Sequence, residues 1–126
     1  MTRLLVADDS ETVLLMLQRR LEMTGYDVVT ATDGQEVLDV LAADAEPLDL
    51  ILLDAMMPRM SGVDALRKLR ADGSQIPVLM ISAHLDAQQP DRMLAIGADG
   101  CIAKPFEWDD LIERIEKLVQ GQRLET

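Results

Sequence analysis

The chain has a single cysteine, Cys101, so no disulfide can form within it. That fits a reducing compartment such as the cytoplasm. Long apolar runs are also missing. The longest are four to six residues, far short of the roughly 20 needed to span a bilayer. The opening stretch MTRLLVADDS turns acidic almost at once, where a secretion signal would stay apolar, so no signal peptide is expected. Basic residues are scarce: 12 Lys and Arg stand against 23 Asp and Glu, for a formal net charge of −11. A surface this acidic repels DNA, RNA and anionic membranes, so neither nucleic acid nor a membrane is an expected partner. Most of these charges serve solubility. A few carboxylates require another explanation.

What is present suits one compact domain. The 126 residues are 48% apolar, enough for a proper core. Strand and helix signals alternate along them. Arg3–Ala7 is a short apolar run of the kind buried on both faces of a parallel sheet. From Glu11 to Thr24, Val13, Leu14, Leu17 and Leu21 recur at helical spacing, with Ser10 as cap and Gly25 as terminator. Asp27–Ala31 is β-branched and strand-like. Asp33 to Asp44 reads as a helix stopped by Pro47. Asp49–Leu53 is the most apolar strand candidate and so the centre of the sheet. After a loop holding Pro58 and Gly62, Ser61 to Ala71 is helical. Pro77–Ile81 is a strand, and Pro90 opens a short helix running to Gly97. Gly100–Ala103 is a brief strand. Glu107 to Gln120 is a helix with Leu111, Ile112, Ile115, Leu118 and Val119 on one stripe. Five strands and five helices in alternation predict an α/β fold, a doubly wound parallel sheet with helices on both faces. Residues 1–120 form the domain, and 121–126 are a polar tail or the start of a linker.

In such a sheet, ligands bind beyond the carboxyl ends of the strands. Asp8 and Asp9 follow the first strand, Asp54 the third, Ser82 the fourth, and Lys104 with Pro105 the fifth. Any one aspartate there could be a mere helix cap. Four polar strand ends together are a poor accident. Three neighbouring carboxylates would raise one another's pKa unless a cation intervened. Mg²⁺, a hard ion with oxygen ligands, is the natural one. Its two positive charges and the one on Lys104 would balance the three carboxylates. Such a site could accept a phosphoryl group at Asp54, since phosphoryl transfer depends mainly on positioning and charge neutralisation.

These motifs, taken together, resemble the receiver domains of bacterial response regulators in two-component signal transduction. The resemblance runs from Arg3 to Val119. It rests on Asp8-Asp9, on Asp54-Ala55-Met56-Met57-Pro58 followed by Gly62, on Ser82-Ala83, and on Lys104-Pro105-Phe106. It implies a flavodoxin-like sheet of order 2-1-3-4-5. It implies that Asp54 takes phosphate from a phosphohistidine of a sensor histidine kinase or histidine phosphotransfer protein. Asp9 and Asp54 would ligate Mg²⁺ through side chains, Met56 through its backbone carbonyl, and Asp8 through water. Lys104 would pair with phosphoryl oxygens, Ser82 would hydrogen-bond one of them, and the small Ala83 would leave the group approachable. The Lys104–Pro105 bond would be cis. The surface of the fourth helix, fifth strand and fifth helix would then change to control a downstream protein target or a fused output domain, with a homodimer as one phosphorylated form. The domain would be regulatory, acting catalytically only on its own phosphorylation and dephosphorylation.

Two positions depart from the commonest pattern. Cys101 stands where receivers usually carry a Tyr, Phe or His that swings inward on activation, so the usual aromatic switch is not expected. As a small thiol it reads as buried and structural. His84, two residues after Ser82, stands where family members vary and tune phosphate lifetime; it would position or block the attacking water, or be an exposed loop histidine. Trp108, at the start of the last helix, is either a surface anchor for a partner or packed on the sheet edge. Other function classes fit less well. An aspartyl phosphatase of the haloacid dehalogenase type needs a second Asp two residues after the nucleophile, and Met56 stands there. A flavin carrier needs a hydroxyl-rich phosphate loop after the first strand, where Asp8 and Asp9 would repel phosphate. A receiver-like protein that works without phosphate would not need all of these acceptor residues.

Overall fold

The structure, a computed structural model, describes residues 2–43, 47–83 and 89–121. Its elements alternate: β1 (Arg3–Ala7), α1 (Glu11–Thr24), β2 (Asp27–Ala31), α2 (Gly34–Ala43), β3 (Leu50–Asp54), α3 (Gly62–Ala71), β4 (Val78–Ser82), α4 (Gln89–Ile96), β5 (Gly100–Ala103) and α5 (Trp108–Val119). The strands form one parallel sheet of order β2-β1-β3-β4-β5. The α/β reading and the order 2-1-3-4-5 are both present.

The sheet is apolar on both faces because helices cover both. Along β3, Leu50 and Leu52 pack with Leu14, Leu17 and Leu21 of α1 and Leu111, Ile115 and Leu118 of α5. The alternate residues Ile51 and Leu53 pack with Val37 of α2, Leu66 and Leu69 of α3, and Met93 of α4. A period of two along the strands thus feeds two cores, which is why β3 reads as a continuous apolar run. The helix ends obey local chemistry. Ser10 caps α1, its hydroxyl accepting from the Val13 N–H, and Gly25 ends it with φ of 110°. Ser61 caps α3 in the same way, accepting from the Asp64 N–H. No helix among the described residues is long and apolar enough to cross a membrane.

Several boundaries differ by one residue from the sequence reading, three of them at elements that carry site residues. β3 and β4 each start and end one residue later, so Asp54 and Ser82 close their strands rather than following them. The cause is sheet pairing: Asp54 is the register partner of Ile81, and Ser82 that of Ala103. α2 begins at Gly34, because Asp33 caps it instead of joining it, its carboxylate accepting from the Glu36 N–H at 2.9 Å.

Candidate functional site

The strand order brings β1 and β3 side by side, which sets their acidic ends together. Asp8 follows Ala7, whose register partners are Ala31 and Leu53. Its carboxylate accepts from the Ser10 N–H at 2.9 Å, fixing the turn into α1. Asp54 closes β3, and its Oδ1 accepts from the Met56 N–H at 3.1 Å. Carboxylate oxygens of Asp8, Asp9 and Asp54 lie within 4.8 Å of one another. Asp8 and Asp54 are buried, whereas Asp9 is exposed.

Lys104 comes from beyond β5 and reaches past β4. Its backbone N–H bonds the Ser82 carbonyl at 2.8 Å. Its Nζ lies 2.9 Å from Asp8 Oδ2 and 3.0 Å from Asp54 Oδ2. Burial works against the charge on this ammonium, but the bonds to Asp8 and Asp54 outweigh it and hold its pKa above the ordinary value. Burial is also the leading influence on Asp54, raising its pKa. The Met56 N–H and Lys104 oppose that shift, and the Asp8 charge adds to it. Ionised Asp54 therefore sits in a site short of positive charge. Three carboxylates and one ammonium leave a formal charge of −2, which suits a divalent cation with oxygen ligands. The donor set thus fits Mg²⁺.

Ser82 is buried and sits one residue beyond the register partner of Asp54. Ala83 is exposed, and with Val13, Met16, Lys104, Phe106 and Trp108 it lines a cavity of about 510 Å³ beside the cluster. The Lys104–Pro105 peptide is cis. Phe106 is half-buried against the core shared by α1 and α5. Trp108 packs on that same core, with the Arg20 guanidinium 4.1 Å from its ring centroid. Trp108 thus packs on the core, as one of its two expectations had it, and also lines the cavity. His84 lies outside the described residues.

Cys101 is buried in the core under α4. Burial pushes its thiol up to about 11, with Arg114 pulling weakly the other way. A thiol so held is inert. Its backbone carbonyl accepts from Arg114 of α5.

Several residues at this end of the sheet escaped the sequence reading. Asp33 is buried, with 1% of its surface exposed, and pairs with Arg59 of the β3–α3 loop. Asp33-Gly34 was a detectable turn signal, but no local pattern around Arg59 announces its partner. Gly62 is more than a loop marker: a Cβ there would lie 1.9 Å from the Asp54 carbonyl oxygen.

Comparison with known proteins agrees with the fold. The family model for the response regulator receiver domain matches residues 4–116. The response regulator MprA of Mycolicibacterium vanbaalenii is 38% identical over 118 residues, covering 94% of this chain and 50% of that protein. The chain thus spans about half the length of the curated relatives it matches. The receiver domain of Francisella response regulator 1452 superposes with a TM-score of 0.90 at 31% identity, covering 96% of this chain and 98% of that one. The response regulator TrrA of Thermotoga maritima, solved in complex with Mg²⁺-BeF, gives 0.81 at 30% identity, covering 94% and 99%.

Proposed function

The chain belongs to the response regulator receiver domain family, and from that membership we propose that Asp54 is its phosphate acceptor and the trigger of a signalling switch. The observation that carries this reading is the bridge from Lys104 to both Asp8 and Asp54 inside a cluster of three carboxylates. An ammonium committed to two acidic groups is placed to meet further negative oxygens.

A sensor histidine kinase or histidine phosphotransfer protein supplies the phosphoryl group. An Asp54 carboxylate oxygen forms the new P–O bond while the P–N bond to the partner's imidazole breaks, and the imidazole leaves with the electron pair and is protonated. Asp9, Asp54 and the Met56 carbonyl would hold Mg²⁺, with Asp8 reaching it through water. When bound, Mg²⁺ neutralises charge on the phosphoryl oxygens. TrrA, the relative solved with Mg²⁺-BeF, supports Mg²⁺ as the ion. Lys104 leaves its carboxylate partners in part to pair with a phosphoryl oxygen. The Ser82 hydroxyl donates to another. Ala83, lacking a side chain beyond Cβ, keeps the approach open. Pro105 fixes the turn that carries Lys104.

Phosphorylation then shifts a two-state equilibrium that reshapes the α4–β5–α5 surface for a protein target, a fused output domain or a second copy. His84 tunes phosphate lifetime. Cys101 offers no aromatic ring to the relay, so movement of Ser82 is transmitted by packing under α4. On this reading the switch works in the cytoplasm, and neither nucleic acid nor a membrane is its direct ligand.

The test is incubation with acetyl phosphate, followed by intact-mass measurement. One phosphoryl adduct should form with Mg²⁺ present, and none in chelator. A fully folded wild type that stays unmodified with Mg²⁺ would overturn the reading.

A further inference from the structure

Arg59 has φ of 65° and is the one non-glycine residue with positive φ among the described residues. A side chain in that region costs energy, and the strain persists only where the surroundings impose it. Here they do. The Arg59 guanidinium bonds the Asp33 carboxylate. The Gly34 N–H donates to the Met60 carbonyl at 2.8 Å, and the Gly62 N–H to the Ala55 carbonyl at 3.1 Å. Gly34 permits that approach, since a Cβ there would lie 2.6 Å from the Met60 carbonyl oxygen. The anchor itself is rigid: Asp33 is buried and also caps α2 through the Glu36 N–H. The loop between Ala55 and Ser61 is therefore fastened at Arg59 and Met60 to the start of α2. Met56 lies three residues before Arg59 in that loop, and its N–H is bound to Asp54.

We propose that Arg59 is a positioning residue whose bond to Asp33 clamps the β3–α3 loop and so sets the Met56 carbonyl for Mg²⁺. This rests on the Mg²⁺ reading given above. Groups behind the ligands commonly govern metal affinity as strongly as some ligands do, because they fix where a ligand points. The clamp is separable from simple electrostatics by sign. Removing Arg59 makes the region more negative, which by charge alone would tighten Mg²⁺ binding. Removing the Asp33 charge makes it less negative, which would weaken binding. A clamp is lost either way.

The experiment is calorimetric titration of Mg²⁺ alone into the wild type, Arg59→Ala, Asp33→Asn and the double variant, with thermal unfolding in chelator alongside. Each single variant should bind Mg²⁺ about tenfold more weakly. The double variant should be no weaker than either, since one interaction is lost once. Arg59→Gly removes the bond and also the φ strain, so it folds readily, and it too should bind weakly. Arg59→Lys, which keeps a cation, should recover part of the affinity. Unchanged or tighter Mg²⁺ binding in Arg59→Ala and Arg59→Gly, with wild type binding normally, would overturn the clamp and leave the functional reading standing. Absence of Mg²⁺ binding in the wild type would overturn that reading and the clamp with it.

Discussion

Lys104 and Asp54 meet across an intervening strand, with Nζ 3.0 Å from Oδ2 although β4 lies between β3 and β5. The sequence separates them by 50 positions. Only the parallel order of the sheet brings the end of β5 to the end of β3. The same ammonium holds Asp8 at 2.9 Å, so one cation ties three strand ends together.

That arrangement gives Lys104→Met effects of opposite sign, tightening Mg²⁺ binding while lowering stability and the phosphorylation rate. Without the ammonium, Asp8 and Asp54 face each other unpaired. In chelator the variant should lose about 2 kcal/mol of stability, the scale of a lost charged hydrogen bond. Calorimetry should find tighter Mg²⁺ binding, because one competing positive charge is gone. Phosphorylation by acetyl phosphate at saturating Mg²⁺ should slow by about 100-fold, as when a charge-stabilising donor is removed from a reacting group. An unchanged rate would remove Lys104 from the chemistry.

Gly62 separates steric need from conformational need. In Gly62→Ala the new Cβ would lie 1.9 Å from the Asp54 carbonyl oxygen and 2.8 Å from its carbon. Those atoms are backbone and cannot turn aside. The variant should lose about 3 kcal/mol by overpacking, with phosphorylation impaired even where circular dichroism shows it folded. Gly25→Ala is the control. No atom lies within 4 Å of its Cβ, so only the positive φ is penalised, by about 1 kcal/mol, and phosphorylation should be normal.

Asp33 gives a signed pH dependence. The Glu36 N–H lowers its carboxyl pKa first of all; burial opposes, and Arg59 and the Gln35 N–H lower it further, leaving it below the ordinary value. A depressed folded pKa contributes stability that is present above the unfolded pKa and lost as pH falls through the folded one. Wild type should therefore melt above Asp33→Asn by a constant margin near neutrality. Melting curves at successively lower pH should show that margin shrink below about pH 4. A margin independent of pH would mean that the charge of Asp33 is not what stabilises.

Cys101 should behave as a sealed thiol. With its pKa pushed up to about 11 and 2% of its surface exposed, only about one molecule in a thousand carries the thiolate at pH 8. Alkylation of the folded protein should be slower than of the unfolded chain by at least about 100-fold. Equal rates would show that α4 opens readily over this residue.

Much of this was legible in the sequence because it follows from local pattern. The apolar run Leu50–Leu53, the stripe of Leu111, Ile115 and Leu118, and the punctuation at Ser10 and Gly25 each report their own element. A residue at a strand end is legible without the strand order, which is why Asp8, Asp54, Ser82 and Lys104 stand out in the sequence. Boundaries slipped by one residue at Asp54 and Ser82 because pairing with a neighbouring strand, not propensity, decides where a strand stops. Asp33 reads as the first helical residue, yet it is a cap with a second partner 26 positions away. Such long-range pairs leave no periodic trace. Arg70 is another: from α3 it bonds the carbonyls of Gly97 and Ser74 and the carboxylate of Asp99.

The most direct measurement is intact-mass analysis of the wild type and Asp54→Asn after treatment with acetyl phosphate and Mg²⁺. Asp54 as the acceptor predicts a single base-labile phosphoryl adduct on the wild type and none on Asp54→Asn. An adduct of equal yield on Asp54→Asn would contradict it and place the acceptor at another residue.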